Sequence, residues 1–363
     1  MGDRASSIGQ RALAHPNRGV RARHELTLKP DHPSGAGQRH LSLPGGQAPM
    51  ETVTQPRHVH SYKMPIYDSD RWEGFIHRAG DILVCTPPKC GTTWTQMICA
   101  LLVHQTPELP QPLTRLSRWV ERVTQPIEEV NAELGSQPFR RVLKTHTPLD
   151  GLPYFADVAY IVCGRDPRDA FLSMLDHFDN LSEESISDAQ RRMGMPDSAG
   201  FPFPTEANGL FPIWMTTPDH PWTEDGVPFG SSTHFFKTYW AYRQLPNLFF
   251  LHYADMMADL DGEMRRLSAF LGVPVGEVVW ARLVEAASFA AMRASADATA
   301  PGAHLGEWRS NSDFFRRKRM GEWRVALSAE NRALYETLSR KRLDPALKSW
   351  LEHGRAAGDP KSL

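Results

Sequence analysis

The chain has 363 residues, and its 41 Lys and Arg nearly balance 42 Asp and Glu, for a formal net charge of −1. That length suits one large α/β domain or two small ones. The balanced charge excludes a global field drawing the whole chain to nucleic acid or anionic lipid, so any basic function must be local.

Residues before about Met50 are rich in Gly, Pro, Arg and His and poor in periodic apolar positions, so a disordered tail is expected over 1–60. Within it, METVTQPRH at Met50 offers a second start. The N-terminus lacks the apolar core of a signal peptide, and no apolar run reaches membrane-spanning length. Of the cysteines Cys85, Cys90, Cys99 and Cys163, all but Cys90 sit in apolar segments. Reduced, buried thiols and a cytoplasmic setting are therefore expected.

A single domain is predicted over 61–353, with a flexible tail over 354–363. DILVCT (81–86) reads as a strand and TWTQMICALLVHQ (93–105) as an apolar-faced helix. RRVLKTH (140–146) and VAYIVCGR (158–165) read as two more strands, followed by the helix DPRDAFLSMLDHF (166–178). NLFFLHYADM (247–256) is a fourth strand and DLDGEMRRLSAFLG (259–272) a further helix. Strands of nearly continuous apolar residues alternating with helices predict an α/β fold, with a P-loop-like parallel sheet flanked by helices on both faces. Between about 182 and 230 the pattern dissolves into Pro, Gly and aromatic residues. That is too long for a plain connection, and a lid-like segment is expected there.

The segment between the first strand and the first helix carries the chemistry. The apolar run Ile82–Cys85 stops at Pro87-Pro88, and Lys89, Cys90, Gly91, Thr92, Thr93 and Trp94 follow. A loop there presents a helix N-terminus, whose amides and dipole attract anions. Gly91 permits close backbone approach, the threonines add hydroxyls, Lys89 adds charge, and Trp94 offers a flat face. The plain alternative is a Thr92 or Thr93 helix cap with Lys89 in solvent. The Walker pattern needs Gly-Lys-Ser/Thr, whereas here Lys89 precedes Gly91, and no strand ends in a clear magnesium-binding Asp. A cysteine phosphatase needs Arg six residues after its nucleophile; after Cys90 that position holds Gln96.

Three further segments stand in order: Lys144-Thr145-His146 at a strand end, where catalytic groups gather in such sheets, GRDPRDAFLSMLDHF, and FFRRKRMGEW. Together with the first they resemble the cytosolic sulfotransferase family from roughly Tyr67 to Trp350. The family signature PKSGTTW stands here as PKCGTTW, KTHLP as KTHTP, RNPKDxxxSxxHF as RDPRDAFLSMLDHF, and RKGxxGDW as RRKRMGEW.

The resemblance implies in-line transfer of a sulfuryl group from 3′-phosphoadenosine 5′-phosphosulfate (PAPS) to a hydroxyl or amine, with no metal required. It implies that Lys89, Cys90, Gly91, Thr92 and Thr93 hold the 5′-phosphosulfate, with Trp94 against adenine. Lys89 would stabilise the leaving group, Lys144 would contact the sulfuryl oxygens, and His146 would be the general base. Arg165 and Ser173 match the binders of the 3′-phosphate, and Arg316, Arg317 and Lys318 the loop that closes over it. Ala287, Ser288, Phe289 and Met292 match the adenine-contacting TSFxxM. Four departures stand out. Cys90 replaces Ser, a weaker donor whose thiol at a helix N-terminus is expected to be acidified and oxidisable. Lys318 replaces Gly, Phe229 replaces a Tyr near the nucleotide, and Ala287 replaces Thr. These changes imply an altered PAPS affinity.

The alternatives are a catalytically silent nucleotide-binding protein of the same fold and a P-loop kinase, the latter distinguished by metal-dependent turnover. The expected partner is a small-molecule acceptor, apolar or aromatic given the Phe-, Trp- and Pro-rich segment. Neither nucleic acid nor a membrane span is expected.

Overall fold

Ile82, Leu83, Val84 and Cys85 are all buried. A strand with no polar face must be covered on both sides, and this one lies at the centre of the sheet. The computed structural model describes residues 54–192, 194–196, 203–315 and 320–363. It opens with a small antiparallel hairpin, β1 (Lys63–Met64) and β2 (Tyr67–Asp68). Five strands then form one sheet: β3 (Ile82–Cys85), β4 (Ser117–Trp119), β5 (Val142–Thr145), β6 (Ala159–Gly164) and β7 (Leu248–His252). Their order is β4-β5-β3-β6-β7, and every pairing is parallel.

Side chains alternate across a strand, so β3 serves two cores. Ile82 and Val84 pack with Ile98, Leu101 and Leu102 of the helix Thr92–His104, and with Met264 and Leu267 of the helix Leu260–Leu271. Leu83 and Cys85 join Tyr160, Val162, Phe250 and Trp350 on the opposite face. Trp350 lies so close to the end of β6 that a Cβ on Gly164 would meet its ring at 2.3 Å. A third cluster joins Phe171, Leu172 and Met174 of the helix Pro167–Asp179 to Phe211, Trp214, Phe229, Trp323 and Tyr335.

The four sequence-read strands are present, each trimmed at its ends. The largest trimming is in NLFFLHYADM, where the strand stops at His252 and the helix Tyr253–Ala258 begins. The His252 ring ends it by accepting the Ala254 N–H at 3.2 Å, an N-cap inside an apolar run. β4 and the hairpin carried no recognisable sequence pattern. The segment read as a lid contains the helices Glu183–Arg192 and Ala207–Thr216. Residues 354–363, read as a flexible tail, contain the short helix Gly354–Ala357. Arg355 bonds Glu263 at 2.7 Å, and Lys361 Nζ bonds the Leu245 carbonyl at 2.9 Å. Residues 54–60 are also engaged: the Val59 and His60 amides reach the Asp150 carbonyl at 2.6 and 3.1 Å.

The chain runs from β3 outward to β4 and back through β5, then crosses to β6 and β7 on the other side. The order therefore reverses around β3. In open parallel sheets ligands bind outside the carboxyl ends of strands at such a switch point. The loop carrying Lys89 leaves β3 there.

Candidate active site

Beyond Cys85, Lys89 and Gly91 adopt left-handed backbones with φ of 66° and 91°. For a residue with a side chain that conformation costs about 1–3 kcal/mol and persists only where the surroundings impose it. Arg165 contributes to this by donating Nη1–H to the Lys89 carbonyl at 2.9 Å. A Cβ on Gly91 would lie 3.2 Å from Tyr253 and 3.3 Å from the Cys163 sulfur. Gly91 is the N-cap of the helix Thr92–His104 and no side chain caps that end. Thr92 and Thr93 are buried first-turn residues, with Thr92 Oγ1 2.5 Å from Thr86 Oγ1. The simple threonine cap is therefore not what this segment forms. Uncapped first-turn amides are the setting in which helices bind anions.

Lys89 is not a solvated lysine. Its Nζ lies 3.3 Å from His177 Nδ1 and 4.5 Å from the Phe314 ring centre. Burial, together with the Arg165 and Lys144 charges, pushes it down to about 7. Lys144 Nζ sits 4.4 Å from the ring centre of Trp119. Burial and Arg122 lower it to about 8. His146 follows the end of β5, and its Nδ1 lies 2.7 Å from the Thr86 carbonyl. A carbonyl only accepts, so Nδ1 carries the proton and Nε2 keeps its lone pair. Burial, Lys144 and Lys89 push His146 down to about 3, so its imidazole is neutral near pH 7.

Arg165 stands beside Asp166 and Asp169, with which an arginine at a helix start would ordinarily pair. The structure assigns those carboxylates elsewhere. Asp166 holds Arg168 through contacts of 2.9 Å, and Asp169 accepts the Gly321 amide at 2.9 and 3.1 Å. Arg168 lies between the rings of Trp323 and Tyr335, 3.6 and 4.2 Å from their centres. Arg165 has no carboxylate partner among the described residues, and its Nε is buried without a hydrogen bond. A cavity of about 360 Å³ beside it is lined by Tyr253, Gly321 and Trp323 among others; Lys89, Lys144 and His146 do not border it.

Ser173 is half-buried on the helix Pro167–Asp179. It stands four residues before His177 and so shares the face that meets Lys89. Trp94 is buried and donates Nε1–H to the Ala287 carbonyl at 2.8 Å, which joins two segments 193 residues apart. Ser288 Oγ accepts the Ala291 amide at 3.2 Å as the N-cap of the helix Phe289–Ala294. Phe289 meets Phe315 edge-on at 6.2 Å, and Met292 is core. Phe229 stacks on Phe178 at 5.1 Å within the third cluster. Arg316, Arg317 and Lys318 lie outside the described residues.

One expectation is corrected. Cys90 is buried, and burial pushes its thiol up to about 12 despite the helix end and Arg165. Desolvation of a thiolate outweighs the dipole here, so Cys90 is neither acidified nor primed for oxidation. Three residues at the centre were missed from the sequence: His177, Trp119 and Phe314. The spacing of His177 from Ser173 was a usable signal. Trp119 lies on a three-residue strand, which no periodicity marks. Among the described residues, no group of three His, Cys, Asp or Glu side chains is placed to hold a metal. No helix there is long and apolar enough to cross a membrane.

Comparison with known proteins matches this architecture. A glycolipid sulfotransferase of Mycobacterium bovis (strain BCG / Pasteur 1173P2) is 37% identical over 315 residues, covering 82% of this chain and 96% of that protein. Sulfotransferase 1C2 of Oryctolagus cuniculus is 24% identical, covering 80% and 93%. Among solved structures, retinol dehydratase in complex with androsterone and inactive cofactor PAP superposes with a TM-score of 0.57 at 20% identity, covering 77% of this chain and 87% of that one. A mouse sulfotransferase complexed with PAP gives 0.56 at 18% identity, covering 78% and 93%. At such identities these structures speak for the fold. The sulfotransferase domain model matches residues 79–345, spanning every strand of the parallel sheet and the loop, strand end and helix that carry Lys89, His146 and Arg165. With that span and a 37% identical relative, the chain belongs to the sulfotransferase domain family, whose chemistry is sulfuryl transfer.

Proposed function

We propose that the chain transfers a sulfuryl group from PAPS to a hydroxyl or amine of a small, apolar or aromatic acceptor. The reading is carried by one observation: a neutral His146 with Nε2 open, set within the charge fields of Lys89 and Lys144 at the sheet's switch point. PAPS, when bound, supplies an activated sulfuryl group and an adenosine-bisphosphate leaving group. The residues suit such an anion. The helix end is uncapped, Gly91 clears the approach, and the orphaned Arg165 Nε marks a buried donor in want of an acceptor.

In this reading His146 Nε2 takes the acceptor's proton while Nδ1–H holds the ring on Thr86. Lys144 faces charge on the sulfuryl oxygens, and Lys89 faces the charge that builds on the leaving group. Preorganised cations act most strongly where charge develops in the transition state. Arg165, Ser173 and the 316–318 segment bind the 3′-phosphate. Trp94, with the Ala287–Met292 segment it is bonded to, supports the adenine. The relatives named glycolipid sulfotransferases favour a glycolipid among the acceptors to be tried first.

Transfer should survive a chelator, since lysines and amides stand where a kinase uses a metal. A turnover assay with and without EDTA checks this. Strict dependence on added magnesium would restore the kinase reading.

Nucleotide binding should weaken as pH rises. Below about pH 7 Lys89 is charged in both free and bound protein, so it adds no pH dependence there. Above it, the free protein must take up a proton at Lys89 (about 7) to pair with the anion. Affinity for the desulfated nucleotide PAP should then fall by up to about tenfold per pH unit. Calorimetry at about pH 6 and about pH 9, in buffers of different ionisation enthalpy, reads both affinity and proton uptake. Binding that neither weakens nor takes up protons would place Lys89 away from the nucleotide.

A further inference from the structure

Among the described residues several buried carboxyl groups go unused in the proposed reaction, and one of them lies against its centre. Glu121, two residues beyond β4, is 0% exposed. It accepts five hydrogen bonds. Oε1 takes Trp72 Nε1–H at 2.8 Å, Thr147 Oγ1–H at 2.6 Å and a close contact from Thr145 Oγ1–H. Oε2 takes the His146 backbone amide at 3.2 Å and a close contact from Trp119 Nε1–H. Three consecutive residues at the end of β5 thus hang from one side chain of the neighbouring strand's exit.

A buried carboxyl group is costly unless well bonded, and a core of this kind would be served as well by apolar packing. What the five bonds achieve is geometry. The His146 amide fixes the backbone from which the imidazole reaches the Thr86 carbonyl. Trp119, held by Oε2, meets the His146 ring edge-on at 5.1 Å and lies under Lys144 Nζ at 4.4 Å. The same carboxyl group therefore sets the seat of His146 directly and that of Lys144 through an indole.

We propose that Glu121 is a positioning residue for sulfuryl transfer, holding His146 and the Trp119–Lys144 pair in register at the reaction centre. It touches neither nucleotide nor acceptor. The inference rests on the roles proposed above for His146 and Lys144. Its signature is a loss of kcat without loss of nucleotide binding.

The test uses the full chain and two variants. Glu121→Gln keeps the volume but turns an N–H₂ toward donors on one side, where the His146 amide and the Trp119 indole need an acceptor. Thr147→Val keeps the shape and removes only the 2.6 Å bond. With labelled PAPS and glucosylceramide in detergent as the probe, Glu121→Gln should lose about 10²-fold in kcat, the scale of a small misplacement of reacting groups. Thr147→Val should lose less. PAP affinity and the KM for PAPS should stay at wild-type values in both. A second readout does not need turnover: long-range ¹H–¹⁵N spectra of the imidazoles, with His146 assigned by its loss in His146→Ala. The wild type should show a single Nδ1–H tautomer for His146, and Glu121→Gln a displaced or tautomer-averaged signal. An unchanged His146 signal in both variants overturns the proposal, as does a loss of PAP affinity equal to the loss of kcat. Should Glu121→Gln not fold, Thr147→Val decides by the same two readouts. A wild type that shows the Nδ1–H tautomer but turns over no acceptor counts against the proposed reaction, not against the placement of His146 by Glu121.

Discussion

Replacing His146 by alanine should cut sulfuryl transfer by about 10²–10⁴-fold, the usual contribution of a positioned general base. PAP binding should be retained, because the parts proposed to bind the anion lie elsewhere: the helix end after Gly91, Lys89 and Arg165. The imidazole carries one proton, on the nitrogen 2.7 Å from the Thr86 carbonyl, and a lone pair on the other. In the free protein the neighbouring lysines and burial keep it at about 3. An anionic donor placed among those lysines offsets their charge, and His146 then becomes a better base where it is needed. Calorimetry with PAP, paired with turnover, separates the two effects. Full activity in the variant would remove His146 from the mechanism. Loss of PAP affinity in step with activity would make it a structural residue.

Arg165→Ala should weaken PAP binding sharply while changing binding of the analogue without a 3′-phosphate far less. Asp166 and Asp169 are committed to Arg168 and Gly321, so the Arg165 guanidinium has no acid to neutralise it among the described residues. Its Nε without a hydrogen bond and its stacking on Tyr253, 4.3 Å from ring centre to guanidinium, leave it held without an ion-pair partner among the described residues. Each charge-assisted contact is typically worth about 1.5–3 kcal/mol. Arg165 also holds the Lys89 carbonyl, so some loss with both ligands is expected. The quantity that matters is the difference, read from two proteins against two ligands. Equal losses for both ligands would mean that Arg165 supports the loop and does not read the 3′-phosphate.

The sheet was legible because its central strands are apolar without interruption. Ile82–Cys85 and Ala159–Gly164 are buried at every position, and only a strand covered on both faces is written that way. The loop after β3 was legible as a break because Pro87-Pro88 ends the apolar run and a helical pattern resumes after Gly91, but the burial of Lys89 was not. The rest required three dimensions. β4 is three residues long, and Glu121 carries no motif; its importance lies in five partners drawn from segments up to 49 residues away. The two arginines of RDPRD are told apart in the sequence only by the resemblance. Packing encloses Arg168 with Asp166, Trp323 and Tyr335 and leaves the Arg165 Nε buried without a hydrogen bond. Cys90 misled because sequence shows the helix end but not the burial that overrides it.

The proposed reaction is tested most directly by incubating the protein with ³⁵S-labelled PAPS, in the presence of a chelator, against phenols, sterols, glycolipids and amines. Label should pass to at least one acceptor, with one PAP released per sulfuryl group transferred, and the transfer should collapse in His146→Ala and in Lys89→Ala. PAP bound tightly with no label transferred to any acceptor class would instead describe a nucleotide-binding protein that keeps the fold without the reaction.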